Sequence, residues 1–223
     1  MRGLLTLLVL LSPAIVAMPS FAQNGDIVYS NGVLPCAQGG CIDAWPISGG
    51  YVTSDTINLT ANARVTGFDI WTWEFPMDRV LRIQWSITAN ENGGTVYASG
   101  NTLVNDHGGY LNEYGFDVDQ VTLTGLNVNL PAGTYWLNLT NAVTALHDPV
   151  YWDENSGYAC HSPGCPSQAS FTGVGTIPSE TFDVRGLYQH EDDQQSKAPK
   201  PGTVFVVTSG LLGLGVMIRR RVL

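Results

Sequence analysis

The chain has 223 residues, 44% of them apolar, and carries nineteen acids against ten bases for a formal net charge of −9. All nineteen acids but only six of the bases lie between Gln23 and Gly202, which leaves that stretch at −13. A segment this acidic repels phosphate backbones, which argues against nucleic acid as a partner, and its length suits one domain with a core of its own.

The N-terminus reads as an export signal. Arg2 supplies a basic start, Gly3–Val16 an apolar run, and Ser20-Phe21-Ala22 a small-x-small cleavage site before Gln23. Residues 1–22 are therefore expected to be a cleaved signal peptide, and residues 23–188 the folded domain.

Within the domain the pattern is one of short strands divided by turn residues. Asp26–Ser30 opens it, and Asn31-Gly32 ends that strand. A loop with Cys36, Cys41 and Trp45 follows. Tyr51–Leu59 and Arg64–Trp73 are rich in β-branched and aromatic residues. Val80–Thr88 alternates, with Leu81, Ile83, Trp85 and Ile87 on one face, as a half-buried strand requires. Asn92-Gly93-Gly94 is a hairpin turn leading into Thr95–Val104. Tyr110–Val118 and Val121–Leu130 are two further expected strands. Pro131-Ala132-Gly133 then turns the chain into Thr134–Thr140, and Val150–Asp153 is a short strand. Residues 154–178, rich in Gly, Ser, Pro and Cys, read as a long ordered loop, and Thr181–Tyr188 as the last strand. No long amphipathic helical period occurs in this stretch. Eight to ten strands at this spacing predict an all-β fold, an antiparallel β-sandwich of jelly-roll type.

The cysteines form two local C-x4-C pairs, Cys36 with Cys41 and Cys160 with Cys165. In an exported chain an even count points to disulfides, although spacing fixes neither their connectivity nor the choice against a four-thiolate zinc site.

Candidate binding groups are aromatic. Trp71 and Trp73 are two apart, so on a strand they share a face and could stack on sugar rings. Tyr151, Trp152 and Tyr158 sit at a strand end and loop, where binding groups gather. Trp85 and Trp136 read as core. Glu74, Asp78, Asp153 and Glu154 are loop-edge acids, but no spacing marks a facing catalytic pair. The four histidines lack metal-ligand spacing, and Ser156 lies outside any nucleophile elbow. No catalytic residue, cofactor or metal set is assigned. Structural calcium is the ion the pattern leaves open, through Asp117 and Asp119 or through Asp153, Glu154 and Asn155.

Residues 189–198 are a polar, acidic stalk, and residues 199–223 form a tail in three parts. Pro199-Lys200-Pro201-Gly202 is a turn, Thr203–Ile218 is an uncharged apolar run, and Arg219, Arg220 and Arg221 close it. As a helix the run would be roughly 24 Å long, a short span for a hydrocarbon core of about 30 Å. The three arginines would stay cytoplasmic, placing the domain outside.

Pro-x-Pro-Gly-Thr, a short Leu/Gly-rich span and terminal arginines resemble the PEP-CTERM sorting signal of Gram-negative bacteria. The resemblance covers roughly the last 25 residues. It implies a substrate of a membrane-embedded exosortase, cleaved near the proline motif and passed to the cell surface or exopolysaccharide matrix. The motif falls on Pro199, Lys200, Pro201, Gly202 and Thr203. Lys200 stands where the family usually has glutamate, which reverses a charge at the recognition point. The expected function is thus an exported non-catalytic protein of the surface or matrix. Its alternatives are a carbohydrate-binding module with polysaccharide as partner, or a secreted glycan-active enzyme.

Overall fold

The computed structural model describes residues 25–32, 43–155 and 169–189. The signal peptide, Tyr158, most of the stalk and the tail with its apolar span lie outside the described residues. So do Cys36, Cys41, Cys160 and Cys165, and with them the disulfides expected of these four cysteines. Among the described residues no helix is long and apolar enough to cross a membrane.

The chain is all-β. In order it forms β1 (Asp26–Ser30), β2 (Ala44–Pro46), β3 (Val52–Leu59), β4 (Ala63–Glu74), β5 (Val80–Asn90), β6 (Gly93–Leu103), β7 (Asn105–Asp106) and β8 (Tyr110–Leu111). There follow β9 (Asp117–Leu123), β10 (Val128–Leu130), β11 (Gly133–Thr144), β12 (Tyr151–Asp153), β13 (Ala169–Phe171), β14 (Gly175–Ile177) and β15 (Phe182–Tyr188). Two antiparallel sheets result. The first is built on β4, which pairs with β15 and then β12 along one edge, and with β9 and β10 along the other. β1 lies outside β15, β2 outside β12, and β7 and β8 outside β9. The second sheet runs β14-β13-β3-β11-β5-β6.

The sheets share one apolar core. Phe68 and Ile70 of β4, Val121 and Leu123 of β9 and Phe182 and Val184 of β15 meet Ile57 of β3, Ile83 and Ile87 of β5 and Leu137 and Leu139 of β11. The Phe68 ring meets Trp85 of the opposite sheet edge-on, with centroids 5.9 Å apart. Trp85 and Trp136 are buried, as read. On β5 the expected alternation holds from Ile83 onward, but Val80 is buried and Leu81 exposed. The cause is a register shift against β11 between Val143 and Thr144, which displaces the start of β5 from its ideal pleat.

Three expected elements are corrected. Val121–Leu130 is not one strand: β9 ends at Leu123 and β10 begins at Val128, with Gly125 at a φ of 79° between them. Tyr110–Val118 is not one strand, because the Asn112 side chain closes a turn: its Oδ1 accepts the Tyr114 and Phe116 N–H groups at 3.0 and 2.9 Å. Residues 154–178 are not loop throughout, since β13 and β14 lie there and extend the second sheet beyond β3.

Candidate functional site

The inner face of the first sheet changes character along β4. Phe68 and Ile70 face Leu123 and Val121 of β9; two residues on, Thr72 and Glu74 face Asp119 and Asp117. The alternation that builds the core therefore carries carboxylates inward at this end. β7 adds Asp106, paired opposite Val121.

Glu74 is fully buried. Its Oε1 accepts the Thr72 hydroxyl at 2.7 Å, while its Oε2 is buried with no hydrogen-bond partner. Asp106 accepts the Val80 N–H at 3.1 Å and the Gly108 N–H at 3.0 Å, which ties the first sheet to the first residue of β5 in the second. The Gly109 N–H bonds Asp119. That approach needs glycine, because a Cβ at 109 would strike the Val118 carbonyl. One carboxylate oxygen each from Glu74, Asp106 and Asp119 lie within 4.8 Å of one another. Burial, opposed by the Thr72 hydrogen bond and reinforced by Asp106 and Asp119, pushes the Glu74 carboxyl up to about 8. Burial followed by the Asp106 and Asp117 charges pushes Asp119 up to about 6.

The outer face of the same strand presents Asp69, Trp71 and Trp73 at steps of roughly 7 Å. Asp69 is ion-paired with Arg185 and accepts the Thr122 hydroxyl at 2.9 Å. These three line a polar groove with His107 and Gln120. Trp71 is half-buried beside it. Trp73 is buried beneath Tyr114, which stacks on it at 5.6 Å with 23° between the planes. Phe116 packs against Trp73, Phe75 and Tyr151. The outcome is an aromatic ledge whose exposed rings are Tyr114 and Phe75.

A second group of acids is buried around Glu180. Neither of its carboxylate oxygens has a hydrogen-bond partner. Burial, and then the charges of Asp55, Glu154, Asp153 and Asp43, hold the Glu180 carboxyl well above its ordinary range. Asp153 accepts the Trp73 indole N–H at 2.6 Å, yet burial pushes it up to about 8, with Glu154 adding to the rise.

No family model matches this chain, and no curated protein matches it significantly.

The expected glycan-binding aromatics divide. Trp152 is fully buried: β12 is short but has β2 on one side and β4 on the other, so its inward residue enters the core. Trp73 shares the outer face with Trp71 but is covered. Trp71 and Tyr151 are half-buried, and Tyr158 lies outside the described residues. The loop-edge acids Glu74, Asp78, Asp153 and Glu154 are all buried. For Asp78, burial works upward, but hydrogen bonds from the Thr144 hydroxyl and from the Leu146 and Arg79 N–H groups hold it below its ordinary value. Of the residues considered for calcium, Asp119 joins Glu74 and Asp106, while Asp117 flanks them. The zinc alternative would draw on Cys36, Cys41, Cys160 and Cys165, all outside the described residues. The sequence signal for Glu74 was its place at a strand end; for Asp106 there was none, because β7 is only two residues long.

Proposed function

We propose that this protein is an exported, non-catalytic β-sandwich of jelly-roll type. Its C-terminal sorting signal delivers it to the cell surface or exopolysaccharide matrix of a Gram-negative bacterium. The tail is first held in the inner membrane by Thr203–Ile218 and then processed by an exosortase near Pro199–Thr203. Export is supported by the leader and tail patterns of the sequence. The observation that carries the non-catalytic reading is the fate of the four acids nearest to a glycosidase pair. Glu74, Asp78, Asp153 and Glu154 are all buried and engaged by Thr72, by the Arg79 and Leu146 N–H groups, by Trp73 and by Trp45. General acid and nucleophile must flank a glycosidic bond in an open cleft, and these groups are committed to the fold instead.

Cells with and without an exosortase test the delivery. With the enzyme, the protein should appear shortened and outside the inner membrane; without it, full length and membrane-bound. A full-length inner-membrane protein in both strains defeats the sorting reading.

The outer face of the first sheet favours a second reading, polysaccharide binding. Its groove is lined by Asp69, Arg185, Thr122 and Gln120, with Trp71 paired opposite Gln120 and Tyr114 stacked on Trp73 of the same face. Rings that carry sugar-stacking energy are exposed ones, so Tyr114 replaces the covered Trp73. On a glycan array, Trp71→Ala with Tyr114→Ala should weaken binding by roughly tenfold or more, about 1.4 kcal/mol. Binding that survives both changes removes this reading.

A further inference from the structure

We propose that Glu74, Asp106 and Asp119 form a binding site for a calcium-class divalent cation, fastening the end of the molecule where the two sheets meet. The three carboxylates come from the end of β4, from β7 and from β9, and one oxygen of each lies within 4.8 Å of the others. Donors held around one calcium ion at about 2.3–2.6 Å have this spread. Independently of the clustering, Glu74 has no solvent exposure and its Oε2 has no hydrogen-bond partner. A buried carboxylate oxygen without a partner is expensive to keep. The charge around it is one-sided: besides the hydrogen bond that Asp119 and Asp106 make to each other, these acids are bonded by the Thr72 hydroxyl and the N–H groups of Val80, Gly108 and Gly109, all neutral. The ion pair of Arg185 with Asp69 involves none of these three carboxylates. Asp117, adjacent on the same face, adds a further negative charge.

The donor set selects the ion class. All three ligands are hard carboxylate oxygens, with no imidazole or thiolate among them, which suits calcium rather than zinc or copper. Asp117 and water would complete the six to eight oxygens that calcium takes. The mechanical consequence follows from Asp106, which also receives the Val80 N–H at the start of β5. An ion here ties three strands of the first sheet to the first residue of the second sheet's β5.

The test uses the full-length protein stripped with EDTA and then titrated with calcium chloride. At a hundredfold excess over Kd, the melting temperature should rise by roughly 5–10 °C. Terbium, a calcium stand-in, should luminesce on tryptophan excitation because Trp73 adjoins Glu74, and calcium should quench that signal by competition. Glu74→Gln and Asp119→Asn should each weaken both responses at least roughly tenfold, whereas Glu180→Gln leaves them intact. Asp106 is only half-buried, so Asp106→Asn decides the matter if the other two variants do not fold. Absence of both the thermal rise and the terbium signal overturns the proposal, as does a calcium response that Asp106→Asn leaves unchanged.

Discussion

Raising the pH from 5 to 8 in EDTA should lower the melting temperature, and Glu180→Gln should flatten that fall and recover part of the loss at pH 8. The direction follows from proton linkage. The Glu180 carboxyl is fully enclosed, and burial is the first cause of its raised proton affinity. Four acids add to it: Asp55 from β3, Asp43 ahead of β2, Asp153 from β12 and Glu154 just after β12. The folded state therefore holds a proton that the unfolded state releases near 4.5. Where the native state binds more protons, stability falls as pH rises. The fall begins above the unfolded value and continues until the folded group ionises. Asp153 pulls the same way, since its folded carboxyl titrates at about 8 against 3.8 in the open chain. Each unit of such a gap corresponds to about 1.4 kcal/mol. Repulsion across a chain of net charge −9 gives the same overall sign, so the variant is what isolates the buried group. If Glu180→Gln melts with the same pH slope as the parent, the enclosed carboxyl is not the cause.

How far the fold was legible depends on what each residue's neighbours are. The strands that showed a clear pattern, β1, β3, β4, β11 and β15, were found within a few residues of their ends, because β-branched and aromatic runs bounded by turn residues are a local property. Alternation also placed Trp71 and Trp73 on one face. It could not say that Tyr114, some forty residues later, would fold over Trp73. Asn112 has the same lesson at shorter range: its side chain bonds the backbone two and four residues on and breaks an apparently continuous strand. β2, β13 and β14 have three residues each and depend on pairing with strands far away in the chain. The acids were the least legible. Asp55, Asp153 and Glu180 look like surface charges in an acidic protein, and only the overlay of non-local elements encloses them. At the candidate cation site, Asp117-x-Asp119 already carried the right face, but Glu74 and Asp106 reach it through β4 and β7.

Trp152 gives the largest single effect expected. Its ring is completely buried, meets Phe182 edge-on at 5.4 Å, and donates its indole N–H to the Thr181 carbonyl at 2.9 Å. Trp152→Ala removes the ring and leaves a cavity between β12 and β15, which should cost about 3–5 kcal/mol in urea or thermal unfolding. That is a large part of the roughly 5–15 kcal/mol that holds a domain together. Trp152→Phe separates the two contributions. It keeps most of the ring's contacts but leaves the buried Thr181 carbonyl without its donor, a penalty of about 1–3 kcal/mol. The alanine variant should therefore be clearly less stable than the phenylalanine variant, and both less stable than the parent. The same pair of variants bears on sugar binding. If polysaccharide lies on the outer face, Trp152→Phe should bind it as the parent does, because its ring points the other way into the core. Unfolding curves for Trp152→Ala that overlay the parent would mean that this ring is not the core contact its burial implies. A loss of glycan affinity in folded Trp152→Phe would return Trp152 to the binding face.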